Sequence, residues 1–193
     1  MTNHAYVVTD IEIDGFEPGT NSMRSFASVA IDPDGAELGR FETVLEPLPG
    51  SSPNPDTFAW FRTQPPEVWR AATENPQPAK AVMTDFAKWV QSLSVPAYFV
   101  ASPVAFDGGW IDFYLRRFTR YGLVEEPDAK DPLFAGTLCL RSFAAGVTGA
   151  EPATFTVHDL PRSWFGDVPH THRAIDDALG YANLLTTLLR KRR

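Results

Sequence analysis

The alternation of apolar and polar positions over the first 50 residues is typical of β-strands. Residues 5–13 (AYVVTDIEI) and 25–32 (SFASVAID) are rich in β-branched and aromatic side chains, and residues 40–48 (RFETVLEPL) alternate in the same way. A Pro-Asp-Gly turn signal at 33–35 separates the last two segments. The pattern therefore predicts three consecutive antiparallel strands.

Over the rest of the chain, helical and strand-like periods alternate. Residues 49–69 are rich in proline and small polar residues and predict a long ordered loop. Residues 96–102 form a short apolar run of the kind found in buried parallel strands. Apolar residues at helical spacing predict helices at 79–93, about 110–121, 136–147 and about 173–189. These elements predict an α/β fold with a mixed sheet, three antiparallel strands and then parallel strands, flanked by helices.

Composition, charge and cysteine content further restrict the possible domain organisation, location and partners of the chain. A chain of 193 residues that is 44% hydrophobic can bury one core, so we expect a single domain over residues 1–193. The N-terminal segment has no basic region, and Asp10 interrupts its apolar run, so we expect neither a signal peptide nor a membrane span. The only cysteine, Cys139, cannot form an intramolecular disulfide, which favours a reducing cytoplasm. The formal net charge of -7 argues against extensive contact with a long nucleic-acid duplex, but it allows a small acidic pocket that binds divalent cations.

Two acidic motifs lie in the first part of the predicted sheet. Asp10 and Glu12 in TDIEID would lie on the same face of the first strand, because side chains alternate with a period of two. Two adjacent carboxylates on an apolar strand repel each other unless a cation binds between them. Asp107 follows the buried strand and precedes a helix, where it could face a ligand crevice or cap the helix. Asp112 lies deeper in that helix, and we expect it to be solvated.

The third motif is HTHRAIDDALG, residues 170–180, which opens the last helix. On a helical wheel of about 100° per residue, Asp177 borders the apolar arc while Asp176 points nearly away from it. We therefore expect Asp177 to face a pocket and Asp176 to face water. His172 lies just ahead of the helix, and we expect His170 to be a surface residue unrelated to Asp177.

Together these side chains predict a two-metal site. The four carboxylates of Asp10, Glu12, Asp107 and Asp177 are hard oxygen ligands suited to Mg²⁺ or Mn²⁺. Two such cations could activate a water and stabilise the leaving oxygen in phosphodiester hydrolysis, with His172 as general base. A zinc site fits less well, because Cys139 is remote and no histidine pair has the usual ligand spacing.

At this point the sequence resembles the DEDDh family of 3′-5′ exonucleases, which have the RNase H-like fold, and it is most similar to a bacterial and phage branch of free-standing domains. The resemblance rests on Asp10 and Glu12 in TDIEI, Asp107 in AFDGGW, and His172 with Asp177 in HRAIDDA, an H-x-A-x-x-D pattern. It implies a mechanism with two Mg²⁺ or Mn²⁺ ions that releases nucleoside 5′-monophosphates from a 3′ end. It also implies that these five residues are catalytic and that a homodimer can form.

Two positions depart from the family pattern. Ile13 stands where threonine is common, and Ser102-Pro103 stands where His-Asn is common, which affects how the terminal nucleotide is held. Trp60, Phe61 and Gln64 could line the substrate groove, or they could pack the loop onto the core. Met23 and Phe26 could border the nucleotide, although core packing is the simpler interpretation.

Three functions are compatible with these residues. The first is a 3′-5′ exonuclease on single-stranded or short nucleic acid, with RNA slightly preferred to DNA because the chain is acidic. A DNA exonuclease with a proofreading or repair role is the close alternative, and a phosphatase of small nucleotides would differ only in substrate. A catalytically silent binding module is the hypothesis from another class, against which the retained like charges argue.

Overall fold

A computed structural model of the chain describes residues 3–125 and 129–192. Its five-stranded sheet has the order β3-β2-β1-β4-β5. Strands β1, β2 and β3 pair antiparallel, while β4 pairs parallel to β1 and β5 pairs parallel to β4. The strands are β1 Ala5–Ile13, β2 Met23–Ile31, β3 Glu37–Val44, β4 Ala97–Ala101 and β5 Gly136–Cys139. This is the mixed sheet that the sequence predicted, in an RNase H-like α/β arrangement.

Helices cover both faces of the sheet. The helices are α1 Pro55–Phe61, α2 Pro66–Ala71, α3 Ala79–Ser92, α4 Val104–Phe118, α5 Leu140–Thr148 and α6 Ala174–Arg192, with two short 3-10 turns at Val157–Asp159 and Arg162–Phe165. One apolar cluster packs α3 and α4 against one face, and a second packs α5 and α6 against the other. None of the helices in the described parts of the chain is both long and apolar enough to cross a membrane.

Side-chain alternation along β1 assigns its residues to these two faces. Val7, Ile11 and Ile13 belong to the cluster beneath α3 and α4, whereas Val8 belongs to the cluster beneath α6. Asp10 and Glu12 have the parity of Val8 and so continue the α6 face. The prediction that these two carboxylates share a face is consistent with this register.

Several predicted elements were wrong in type or extent. The loop at 49–69 contains α1 and α2, because Pro55 and Pro66 occupy first-turn positions, where proline starts a helix rather than breaking it. The predicted helix at 136–147 begins with β5, whose four residues pair with β4 at the sheet edge. Periodicity alone does not distinguish so short an edge strand from a helical turn.

The boundaries of the other predicted helices also shift. The helix predicted at 110–121 begins instead at Val104, so Asp107 lies in its first turn and the capping position belongs to Pro103. Asp112, expected to be solvated, pairs with Arg116 at 2.8 Å and accepts a hydrogen bond from the backbone N–H of Leu123. The last helix runs from Ala174 through the basic residues to Arg192.

Candidate active site

Three of the four predicted acidic residues meet above the carboxyl-terminal end of β1. Asp10 and Glu12 project from that strand, and Asp177 projects from the first turn of α6, which packs on the same face. One carboxylate oxygen of each residue lies within 4.8 Å of those of the other two. The burial of Asp177 agrees with the expected orientation toward a pocket, because the residue is only 5% exposed.

Asp107 approaches the same centre from α4. It is also 5% exposed, and its carboxylate accepts a hydrogen bond from the backbone N–H of Ile11, between the two acidic residues of β1. Its oxygens lie outside the 4.8 Å group, but its negative charge raises the pKa of both Asp10 and Glu12. The fold therefore gathers all four predicted carboxylates from three separate elements.

Burial shifts the pKa values of Asp10, Glu12 and Asp107 upward, and repulsion from neighbouring carboxylates adds to the shifts of Asp10 and Glu12. Loss of water around Asp10 raises its pKa well above the ordinary value, and the charges of Asp107, Glu12 and Asp177 add to this effect. Burial, followed by the charges of Asp177 and Asp107, raises the pKa of Glu12 to about 8. Burial raises the pKa of Asp107 to about 7, against the effect of its backbone hydrogen bonds. Without a counter-ion, this centre is an energetically costly arrangement of like charges.

The chemistry of this group fits divalent cations. Carboxylate oxygens are the ligands preferred by Mg²⁺ and Mn²⁺, and a cation between them would offset both the repulsion and the loss of water. Tyr181 lies one helical turn beyond Asp177 and carries no positive charge that could offset the carboxylates. Burial and the nearby carboxylates raise the pKa of its hydroxyl. The acidic cluster is therefore able to bind metal, with Asp10, Glu12 and Asp177 as its closest set of ligands.

The histidines ahead of α6 differ from the expectation. His170 is exposed, as predicted for a surface residue, with 48% of its side chain accessible. Its Nδ1 nevertheless lies 2.6 Å from Asp177 Oδ1, a contact that we did not predict because the two residues have no helical relation. This hydrogen bond raises the pKa of His170. Ligand atoms of His170, His172 and Asp177 also lie within 4.8 Å of one another, although the histidines lack the usual ligand spacing in the sequence. Sequence spacing missed the pair because a loop, not a helix, brings the two rings together.

His172 lies beside the carboxylates, at the entrance to α6. Its backbone has a φ of 58°, in the left-handed region that few non-glycine residues adopt, where the chain turns into the helix. Its ring contacts Trp60 edge-to-face at 5.1 Å, and it lines a small crevice together with Glu12. Partial burial and the neighbouring His170 lower its pKa, so its ring is predominantly neutral at neutral pH and able to accept a proton.

Asp176, the immediate neighbour of Asp177, has a different environment. It is partly exposed, accepts a hydrogen bond from Thr171 Oγ1 at 2.6 Å and lies 3.8 Å from Arg173. These contacts tie the entrance loop to the helix, so Asp176 does not simply face water as the helical wheel suggested. It remains outside the group of carboxylates formed by Asp10, Glu12 and Asp177.

An apolar groove of about 590 Å³ adjoins the acidic centre on the side of Glu12. Among the predicted substrate-binding residues, Ile13, Trp60 and Phe61 line this groove. The structure adds Phe16, which is 69% exposed, and Phe106, whose ring lies 5.9 Å from that of Phe16. Sequence analysis missed these two because isolated aromatic residues carry no signal of pairing across distant segments.

Three other residues suggested for substrate contact do not reach the groove. Met23 and Phe26 are wholly buried in the core, and Met23 contributes only a backbone N–H that donates to the hydroxyl of Tyr114. Gln64 lines a separate crevice with Trp69. Met23, which we predicted as a substrate-binding residue, is therefore a core residue. It joins the cluster beneath α3 and α4, unlike the odd residues Ala27 and Val29, because the register between β1 and β2 shifts at this end of the strands.

Buried polar contacts fix the position of α1 along this groove. The carbonyl of Asp14 accepts a hydrogen bond from Asn54, the residue that caps α1, and the Asn54 side chain accepts from the first-turn backbone. The Asp14 carboxylate accepts from the Ser22 backbone N–H at 2.6 Å and pairs with Arg24 at 3.5 Å. Trp60 and Phe61 are thus held beside β1 by a network that begins two residues after Glu12.

Comparisons with known proteins give matches in structure only. No protein-family model matches the chain, and no curated protein matches its sequence. The E. coli exonuclease I structure in complex with a dT13 oligonucleotide superimposes with a TM-score of 0.67 and 17% identity over 98% of this chain. A zinc-bound form of the E. coli exonuclease I complex with single-stranded DNA gives a TM-score of 0.64 and 19% identity over 99% of the chain.

This chain corresponds to 41% of the exonuclease I chain in both structures, so it spans less than half of that protein. The nuclease domain of 3′hExo, a DEDDh family member bound to rAMP, is closer in size. It gives a TM-score of 0.65 at 8% identity, with 98% of this chain and 92% of that one covered. The protein therefore has the fold of the DEDDh-type 3′-5′ exonucleases.

Proposed function

We propose that this protein is a metal-dependent 3′-5′ exonuclease. It would hydrolyse the terminal phosphodiester bond of single-stranded or short nucleic acid and release nucleoside 5′-monophosphates. The observation that carries the proposal is the convergence of four carboxylates, two buried and two partly buried, from β1, α4 and α6 at one end of a groove that could hold a nucleoside.

The four carboxylates have a direct role in this proposal. Asp10, Glu12 and Asp177 would hold two divalent cations, Mg²⁺ or Mn²⁺, with Asp107 completing the set. Such ions, when bound, polarise the phosphoryl group and stabilise the charge on the leaving oxygen. A silent binding module gains nothing from keeping these like charges buried together, since the arrangement destabilises the folded chain.

His172 is the proposed general base. Its ring lies beside Glu12 and Asp177, and its lowered pKa keeps it ready to accept the proton of an attacking water. Trp60 holds the ring from one side, and the left-handed backbone fixes the direction from which it approaches. His170, bonded to Asp177, would orient that carboxylate rather than accept a proton.

The aromatic groove would hold the 3′-terminal nucleoside. Its volume of about 590 Å³ lies in the usual range of small-ligand sites, roughly 300–1,000 Å³. Trp60, Phe16 and Phe106 line the groove with aromatic rings that a base could stack on, and stacking tolerates any base. Ile13 contributes an apolar floor where a threonine hydroxyl would offer a hydrogen bond.

We propose single strands as the substrate, with RNA ahead of DNA. The net charge of -7 favours short strands over long duplexes, because affinity for duplexes comes largely from neutralised phosphates. Proteins of this fold include one in complex with dT13 and a 3′-exonuclease that recognises a histone mRNA stem-loop. DNA is therefore the alternative to test directly.

The test is degradation of matched RNA and DNA oligonucleotides labelled at either end, with Mn²⁺, Mg²⁺ or chelator. We expect metal-dependent shortening from the 3′ end, faster for RNA, and no product from Asp177→Ala. Cleavage inside the strand, cleavage from the 5′ end, or equal activity in chelator would contradict the proposal. Faster degradation of DNA would make DNA the preferred substrate and would leave the proposed mechanism unchanged.

A further inference from the structure

We propose a second substrate site beside the acidic centre, lined by different residues from those of the aromatic groove. It is a cavity of about 370 Å³ between α6 and the two 3-10 turns. We infer that it binds the nucleotide immediately 5′ to the scissile bond, with Arg162 contacting a phosphate of the strand. This inference rests on the proposed exonuclease function.

The two cavities meet at the carboxylates. Glu12 lines the aromatic groove and Asp177 lines the second cavity, while their nearest oxygens lie within 4.8 Å of each other and of Asp10. A strand that occupies both cavities must therefore pass its backbone over the acidic centre. With the 3′ nucleoside in the aromatic groove, the next nucleotide falls in the second cavity.

The walls of the second cavity are well braced. The Phe165 carbonyl accepts a hydrogen bond from Asn183 Nδ2 at 3.1 Å, and Lys191 lies 4.4 Å from the centre of the Trp164 ring. The first 3-10 turn begins with a reciprocal capping arrangement between Thr156 and Asp159. These contacts hold the segments that line the cavity in fixed positions, so the cavity is part of the packed fold.

Its lining suits a nucleotide. Leu160, Phe165 and Tyr181 provide apolar surface for a base or sugar. The His158 ring packs against the His170 ring at 5.5 Å, on the side that leads to Asp177. Arg162 supplies a permanent positive charge, which in a chain of net charge -7 attracts the phosphates that the carboxylates repel.

The state of the charged side chains supports a role for Arg162 in binding. Within residues 3–125 and 129–192, the Arg162 guanidinium makes no hydrogen bond or ion pair, and the residue is exposed. Asp176 also lines the cavity, but Thr171 and Arg173 already engage its carboxylate. Among the described residues that line the cavity, Arg162 is therefore a cation without a hydrogen-bond or ion-pair partner, whereas the carboxylates of Asp176 and Asp177 both have partners.

The test compares two substrates in the full-length protein. The p-nitrophenyl ester of thymidine 5′-monophosphate carries a terminal nucleotide and no nucleotide on its 5′ side, whereas an oligonucleotide carries both. We expect Arg162→Gln to lower the ratio of kcat/KM for the oligonucleotide to kcat/KM for the ester about tenfold, through KM. The slope of log affinity against log salt should become shallower by about 0.7, the value for one phosphate contact on a single strand.

Arg117→Gln, at an exposed arginine near the end of α4, is the matched control, and its substrate ratio should equal that of the wild type. An unchanged ratio in Arg162→Gln, or an equal fall in the control, would overturn the second site. If the wild type hydrolyses neither substrate, the proposed function fails instead. Binding of a fluorescent oligonucleotide then decides the second site separately: about tenfold weaker binding by Arg162→Gln supports it, and equal binding overturns it.

Discussion

The two halves of β1 differ in what surrounds them. From Tyr6 to Val8 the strand pairs with β2 on one side and β4 on the other, and the side chains of Val7 and Val8 are fully buried. From Asp10 to Ile13 only the pairing with β2 continues, because the register with β4 ends at Val8 and Val100. The first half stabilises the fold, and the second half carries the carboxylates.

This difference explains why the acidic centre lies where it does. When two parallel strands separate at their carboxyl ends, they leave a crevice that neighbouring helices enter from both faces. Here α4 brings Asp107 and α6 brings Asp177 to the open half of β1. Strand β1 therefore stabilises the fold along its paired half. It destabilises the fold along its open half, where like charges lie close together with little access to water.

The largest expected effect is at Asp177. Asp177→Asn and Asp10→Asn should each lower kcat at least about a thousandfold, because each removes a charged ligand from the proposed metal centre. Single-turnover and steady-state assays on labelled oligonucleotides measure this loss. Asp10 is the more direct test, since Asp177→Asn also breaks the bond to His170.

Asp176→Asn is the matched control on the same helical turn. Its carboxylate contacts Thr171 and Arg173 and lies outside the close group of ligands, so we expect activity within about tenfold of the wild type. Equal losses of activity in the Asp176 and Asp177 variants would contradict the assignment of Asp177, and not Asp176, to the proposed metal centre.

The next effect is at His172. His172→Ala should lower kcat about 10²- to 10⁴-fold while leaving the affinity for Mn²⁺ close to that of the wild type, because proton transfer is lost but the carboxylates remain. Calorimetric titration of Mn²⁺ beside the kinetic assay separates the two properties. A parallel loss of metal affinity and activity would assign the ring to metal binding instead.

Substitutions in the paired half of β1 should change the stability of the protein and not its catalytic activity. Val7→Ala removes two carbon atoms from a fully buried side chain and should lower the free energy of unfolding by about 2–3 kcal/mol, without changing KM in the folded protein. Urea unfolding and kinetics at low temperature test this. Ile13→Ala, in the open half, should also raise KM, since Ile13 lines the aromatic groove.

The smallest effect is a dependence of stability on pH in the metal-free protein. Burial raises the pKa of Glu12 to about 8 in the folded chain, whereas the unfolded chain releases this proton near its ordinary value of about 4.3. The unfolded state therefore binds fewer protons between these values, and the free energy of unfolding falls as pH rises toward about 8.

We expect the melting temperature in chelator to fall by several degrees over that interval. Glu12→Gln should weaken this dependence, and saturating Mn²⁺ should reverse the fall in the wild type because a cation replaces the missing protons. Thermal melts with and without chelator measure both. A metal-free protein that becomes more stable over the same interval would contradict the raised pKa of Glu12.

Much of the site could be predicted from sequence because local geometry fixed it. Asp10 and Glu12 share a face through the period of two in a strand, and Asp177 borders the core through the period of a helix. The contact of His170 with Asp177 could not be predicted in this way. It depends on the path of a loop with a left-handed residue at His172, which periodicity does not describe.

The aromatic groove could not be predicted from local geometry either, for the same reason. Phe16, Trp60 and Phe106 come from three distant segments, and long-range contacts, among them the hydrogen bond from the Asn54 backbone N–H to the Asp14 carbonyl, bring the segment of Trp60 beside β1. The prolines of that segment looked like loop residues because their first-turn role depends on the helices that follow them.

The sequence by itself determined the strands β1 to β4, the amphipathic helices α3, α4 and α6, and the choice of the four acidic residues, since these follow from short-range periodicity and side-chain chemistry. Only the tertiary structure decided which carboxylates lie close together, which histidine bonds to Asp177, and that two cavities meet at Glu12 and Asp177. Those facts depend on where β4 separates from β1 and on how α4 and α6 pack around the gap, which are contacts between segments far apart in the chain.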